Sequence, residues 1–269
     1  MMNRWVMSML IMALSVVQST TRAEALGQMT VLHPILGQHV VTYEAVDGYA
    51  VVEGDILLTT LKRTPNVMQA AVVKLETRRW PEGVVPYELD ERLPSFNKLA
   101  VLAAIDRWQR STNVVFVELT SANRYAYPDY VAFVPESARL CASYVGRKGG
   151  RQVMQLSPRC DTMIAAHEIG HVLGLWHEQS RLDRDAYVRI LWENIEERSQ
   201  YNFEQHLTDE LDHGDYDYQS VMHYSAYAFS KNGEPTIVPL IAGAVIGQRN
   251  DLSPLDKAAV NAMYPGPIH

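Results

Sequence analysis

The chain is poor in cysteine, in positive charge and in long apolar runs. Its 269 residues contain only Cys141 and Cys160, so a single pairing is available. A formal net charge of −7 excludes the basic face that a general nucleic-acid binder carries. After the first 25 residues no stretch is long and apolar enough to span a bilayer. Internal repeats and low-complexity segments are also missing. What remains is an ordinary globular composition, 47% apolar and 20% charged, in a length suited to one large domain plus processing segments.

The N-terminus supplies the first positive signal. Arg4 gives a basic flank, Trp5 to Val17 an apolar core, and Ala23-Glu24-Ala25 a small-x-small cleavage site, the pattern of a secretory signal peptide over residues 1–25. The alternative, a retained anchor, has an apolar core well short of the ~20 residues needed to cross a bilayer. Export to a secreted or periplasmic location puts the two cysteines in an oxidising compartment, where one disulfide competes with two free thiols. Residues 26–70 show no strong helical period, and apolar and polar residues alternate only loosely around Tyr49 to Leu58. They read as a pro-segment or an N-terminal arm, and composition does not choose between the two.

The domain proper begins near Ala70, with residues 71–269 as one unit. Strands are predicted at Val84–Leu89, where Pro86 points to an edge or a strand start, and at Val114–Leu119, Tyr130–Val134 and Gln152–Leu156. A helix from Ser95 to about Arg110 carries Leu99, Leu102, Ile105 and Trp108 as its proposed inner face. A second helix spans Thr162–Leu173, capped by Asp161 and stopped by Gly174. Residues 181–247 have few clean periods, and Ser253-Pro254 opens a last helix to about Met263. The pattern predicts an α+β fold, with a mixed sheet and a site-bearing helix first and an irregular C-terminal half after.

The second helix contains His167-Glu168-Ile169-Gly170-His171. Four-residue spacing puts both imidazoles on one helix face, one turn apart, where they can grip one ion. Gly174 can take the positive φ that turns the chain and returns His177 as a third ligand. Three histidines leave one tetrahedral position open, as in catalytic rather than structural zinc sites, and Glu168 stands where a general base is needed. A purely structural zinc site and an inactive binding module are the rival readings.

The longer string His167-Glu-x-x-His171-x-x-Gly174-x-x-His177-Glu178-x-x-Arg181-x-Asp183-Arg184-Asp185, with Ser220-Val221-Met222-His223-Tyr224 downstream, resembles the astacin family of metzincin metallopeptidases. The resemblance covers residues 70–264. It implies a metzincin-like catalytic domain with a twisted sheet, one catalytic zinc, and hydrolysis of protein or peptide substrates by water that Glu168 deprotonates. It also implies that Tyr224 is a fifth ligand that swings toward the transition state, that Met222 floors the metal, and that Glu178 anchors a new N-terminus near Ala70 or Ala71. Arg181, Asp183 and Asp185 take supporting parts. Val52-Glu53-Gly54-Asp55 resembles the family's F-x-G-D pro-segment motif, with Val52 for the phenylalanine, and makes Asp55 a zymogen ligand to the zinc. Cys141 and Cys160 match one family disulfide. Asn113 and Pro265-Gly266-Pro267 lack the cysteines of the other, and Ala142 replaces a large aromatic expected beside the substrate strand. Substrate preference, activating protease and oligomeric state are not encoded in any of these signals.

Overall fold

A computed structural model describes residues 25–33, 37–61, 73–74, 79–136, 140–205 and 212–266. Residues 1–24 of the expected signal peptide and the 70/71 boundary lie outside them. The described part is α+β, with a ten-stranded mixed sheet, three helices and a C-terminal half of short turns.

Four strands precede the peptidase-like region: β1 (Leu26–His33), β2 (Gly37–Val46), β3 (Tyr49–Val52) and β4 (Ile56–Thr60). They form an antiparallel meander, and β5 (Val73–Lys74) lies parallel to β1. Met29, Val31, Tyr43, Ala50 and Leu58 form its own small core. The sequence signal for β2 was the apolar, β-branched run Val40-Val41-Thr42-Tyr43, which the loose alternation downstream obscured.

The larger sheet region contains β6 (Val84–Leu89), β7 (Val115–Glu118), β8 (Tyr130–Pro135), β9 (Cys141–Ser143) and β10 (Arg151–Leu156). The full order is β5-β1-β2-β3-β4-β9-β10-β8-β6-β7. Pro86 lies inside β6 rather than at an edge or start, a correction. Pairing of β6 with β8 begins only at Tyr87, however, so at Pro86 the ladder runs on the β7 side alone.

Helix α1 (Ser95–Ser111) packs on α2 (Thr162–Leu173), and both cover the sheet over the main core. The predicted inner face of α1 is only half right. Ile105 and Trp108 are buried, but Leu99 is 69% and Leu102 40% exposed. Three-residue steps each fall about 60° short of a full turn, so the three steps from Leu99 to Trp108 drift across half the helix circumference. The face turned inward instead carries Asn97, Ala100, Val101 and Ala104, and its alanines let α2 approach closely.

Helix α2 keeps its predicted bounds. Asp161 Oδ1 accepts the Met163 and Ile164 N–H groups at 2.9 Å each, and Gly174 ends the helix at φ 112°. A disulfide between Cys141 and Cys160 ties β9 to the residue before that cap. Beyond α2, 3₁₀ turns and the two-stranded pair β11 (Val188–Ile190) and β12 (Ile237–Pro239) enclose a second core. Helix α3 (Pro254–Met263) starts with a capping box between Ser253 and Asp256. Among the described residues no helix is long and apolar enough to cross a membrane.

Candidate metal centre

Helix geometry places His167 and His171 one turn apart with ring centroids 4.8 Å apart. The turn at Gly174 is closed by its N–H on His171 O at 2.8 Å and by Leu175 N–H on Gly170 O at 3.0 Å. A side chain at Gly174 would strain the positive φ and meet Met263 Sδ at 3.4 Å. The chain then returns in extended conformation, and the His177 ring comes within 4.7 Å of His171 and 5.2 Å of His167.

A fourth donor arrives from far away in sequence. Asp55, between β3 and β4, lies 3.2 Å from His167 Nε2, 3.2 Å from His177 Nε2 and 3.5 Å from His171 Nε2. One ligand atom from each of these four residues falls within 4.8 Å of the others.

The outer ring nitrogens set the tautomers. His167 Nδ1 donates to Val221 O, His171 Nδ1 to Leu175 O and His177 Nδ1 to Glu53 Oε2, each at 2.8 Å. Each neutral ring then presents the lone pair of Nε2 inward. Three lone pairs and a carboxylate converge without a donor between them, so the cluster calls for a cation. A single proton answers only part of this. Burial works against charge on His177, but Asp55 and Glu53 outweigh it and raise its pKa to about 9. Burial lowers His167 to about 3, so a second proton is refused. Even so, His171 Nε2, Asp55 Oδ1 and Glu168 Oε2 have no hydrogen-bond partner. An N₃O donor set with an inward-facing orphan on each side fits zinc.

Glu168 lies beside this cluster, 1% exposed, and burial followed by the Asp55 charge holds its carboxyl well above the usual range. Met222 runs beneath α2 so closely that a Cβ on Gly170 would stand 2.5 Å from its Sδ. The Tyr224 ring packs 4.7 Å from that of His177, but its hydroxyl is turned onto the N-terminal segment and donates to Glu53 O at 2.5 Å.

Glu178 faces the opposite way, into a pocket with Arg181, Asp217 and Asp256. Its Oε1 accepts the Asp217 N–H at 2.7 Å and stands 3.6 Å from Arg181 Nη1, and burial raises its pKa to about 8. Arg181 is held in turn by Asp183 at 2.8 and 2.9 Å, whereas the exposed Asp185 pairs with the buried Arg184.

Strand β9, which carries Ala142, is covered along one edge by β4. Ile56 pairs with Ser143 in parallel, and Ser143 N–H donates to Asp55 O at 3.1 Å. Val51 and Leu57 pack with Ala142 and Tyr144, in the space left where a large aromatic was expected. Two contributors were not singled out from sequence. Glu53 was quoted only as a spacer in the Asp55 motif, and Ser180, which donates to Glu53 Oε2 at 3.0 Å, carried no signal of its own.

Comparison with known proteins agrees with this geometry. A sequence profile described as Astacin (Peptidase family M12A) matches residues 72–265. Zinc metalloproteinase nas-14 of Caenorhabditis elegans is 41% identical over 206 residues, covering 75% of this chain and 40% of that protein. Human meprin A subunit beta is 37% identical over 223 residues, covering 81% of this chain and 30% of that protein. The chain thus spans less than half the length of these curated relatives. Among solved structures, the hatching-enzyme zinc protease high choriolytic enzyme 1 of Oryzias latipes superposes with TM-score 0.62 at 35% identity, over 70% of this chain and 94% of that one.

Proposed function

The chain belongs to the astacin family of zinc metallopeptidases, and on that premise we propose that it is an exported zinc endopeptidase made as a zymogen, with residues 1–25 as signal, 26–70 as pro-segment and 71–269 as peptidase domain. One observation carries the reading. The segment that brings Asp55 within 3.2 Å of two imidazole nitrogens also lies along β9 through β4. The same stretch therefore fills the fourth metal position and covers the strand on which an extended peptide would pair. The charged, apolar and small-residue order of the N-terminus, together with the disulfide, supports export.

His167, His171 and His177 would hold the zinc, with Asp55 as the fourth ligand until the pro-segment is cut. Zinc bound there supplies Lewis acidity that activates water near neutral pH and polarises the scissile carbonyl. Glu168 accepts the proton of the attacking water as its oxygen bonds to the carbonyl carbon, then delivers it to the amine nitrogen as the C–N bond breaks. The raised affinity of its buried carboxyl for protons suits the second half of that task. Departure of Glu53 frees the Tyr224 hydroxyl to swing in as a further ligand or to donate to the developing oxyanion. Met222 floors the site against Gly170. The pocket at Glu178 offers buried carboxylates to the ammonium of a new N-terminus near Ala70 or Ala71.

Casein cleavage by the processed, zinc-loaded protein tests the chemistry. Glu168→Ala, folded and loaded, is expected to lose about 10²–10⁴-fold in rate. Cleavage at the wild-type rate overturns the general-base role. Full-length Asp55→Ala keeps β9 covered but is expected to open the fourth zinc position to a small hydroxamate, which the uncut wild type excludes. Equal exclusion of the hydroxamate by uncut wild type and uncut Asp55→Ala overturns the zymogen role of Asp55.

A further inference from the structure

We infer that Glu53 is a positioning residue for His177, so that metal retention in the uncleaved chain depends on a carboxylate that processing discards. The inference rests on the zinc-zymogen reading above and adds a second, indirect contribution of the pro-segment to the metal.

The three histidines are not held alike. His167 and His171 direct Nδ1 at carbonyls of the peptidase domain, Val221 O and Leu175 O, and those partners survive processing. His177 alone of the three directs Nδ1 at a pro-segment side chain, Glu53 Oε2 at 2.8 Å. Ser180 Oγ donates to the same oxygen at 3.0 Å, so that oxygen is fixed from two sides. Glu53, His177 and Ser180 are all buried, which shields the contact from solvent. A carboxylate accepting from a ligand imidazole fixes the tautomer, orients the ring and makes Nε2 more basic than a carbonyl partner does.

The backbone at Glu53 is consistent with a side chain in use. Its φ is 48°, followed by Gly54 at 76°. A non-glycine residue in the left-handed region is strained, and glycine would avoid that strain. Two contacts hold the turn besides the Asp55 cluster: the Glu53 side chain on His177 and Ser180, and the Glu53 carbonyl on Tyr224. Partners of this kind are worth about 10- to 100-fold in metal affinity.

The test is chelator-driven zinc release from the uncleaved full chain, followed with 4-(2-pyridylazo)resorcinol, for wild type, Glu53→Ala and Glu53→Gln. Glu53→Ala is expected to release zinc about 10- to 100-fold faster. Glu53→Gln, whose amide oxygen still accepts from Nδ1, is expected to fall between. The melting temperature of the metal-free Glu53→Ala chain should fall, because His177 and Ser180 lose a buried acceptor, but by less than that of the zinc-loaded chain, and the cobalt-loaded Glu53→Ala chain should show shifted d–d bands. After the pro-segment is removed the three proteins have one sequence and should release zinc alike. Wild-type release by uncleaved Glu53→Ala overturns the inference. So does an equal fall in melting temperature with and without metal at unchanged release, which would make Glu53 a mere support of the turn. If Glu53→Ala does not fold, Glu53→Gln decides, with several-fold faster release supporting the inference and wild-type release overturning it. A wild-type chain that takes up no zinc overturns the underlying reading as well, an outcome distinct from the others.

Discussion

Asn113 Nδ2 donates to Tyr264 O at 3.0 Å, and Asn261 Oδ1 accepts the Asn113 N–H at 2.8 Å. The residue at one end of the family's missing disulfide therefore still contacts the C-terminal segment at the other end, through hydrogen bonds instead of a covalent bond. A Cβ built on Gly266 would lie 3.2 Å from Asn113 Cγ, close enough for two cysteines to bridge. The double variant Asn113→Cys/Gly266→Cys is expected to oxidise and raise stability by roughly 2–4 kcal/mol. Thiol titration and non-reducing melting curves against wild type check this. Two free thiols after air oxidation, or an unchanged melting temperature, count against it.

Gly170 is a second place where a single atom decides. In an exposed helix, alanine would be favoured over glycine by about 1 kcal/mol. Here the added methyl stands 2.5 Å from the sulfur of Met222, which is 1% exposed and must shift to make room. Gly170→Ala is expected to be net destabilising by about 1–3 kcal/mol, the usual cost of overpacking. Gly170→Ala should cost less in a Met222→Ala background than in wild type, because the methyl then occupies vacated space. Thermal denaturation of the two single variants and the double variant separates overpacking from a simple propensity effect, which would raise the melting temperature of Gly170→Ala.

The three-histidine cluster was legible because it depends on local rules. Spacing along one helix fixed His167 and His171, and a glycine turn returned His177, all within eleven residues of sequence. The caps of α2 and α3 were legible for the same reason. Asp55 was reachable only through the family resemblance, since no periodicity links it to a helix more than a hundred residues downstream. Glu53 and Ser180 were not legible at all. Their meeting follows from β4 lying against β9, and a parallel pairing between distant segments leaves no trace in either segment alone. The inner face of α1 was misread because leucines mark hydrophobicity, whereas close helix packing there uses alanines.

His223 ties stability to pH. Its Nδ1 donates to Tyr224 O and its Nε2 accepts from Tyr216 OH, both at 2.8 Å, so the buried ring is held neutral. Burial lowers its pKa to about 4, against ~6.5 in an unfolded chain. Between these values the unfolded state binds a proton that the folded state refuses. Its contribution to stability is complete above pH ~6.5 and falls as pH drops toward 4, by on the order of 3 kcal/mol. His223→Gln keeps an acceptor for Tyr216 and does not titrate. Melting temperatures of metal-free wild type should therefore fall more steeply than those of His223→Gln from pH 7 to 4.5. Parallel curves would remove His223 as the source.

Ala142 is fully buried under Val51 and Leu57, so β3 and β4 occupy the very space that a large residue at position 142 would claim. On the proposed zymogen reading, Ala142→Trp should therefore act on the uncut chain more than on the processed one. In the uncleaved chain the indole must displace Val51 or Leu57, an overpacking cost of about 1–3 kcal/mol, and it pushes β4 away from β9. That shift weakens the hold on Asp55, because the Asp55 carbonyl accepts the Ser143 N–H at the next position along β9. The expected result is faster proteolytic cutting within residues 26–70 and a lower melting temperature of the full chain. After processing, the melting temperature should change far less, since the competing side chains have left. Limited proteolysis mapped by mass spectrometry, on the full and processed forms, reads both effects. An equal loss of stability in the two forms would place the damage in β9 itself and not in its contact with the pro-segment.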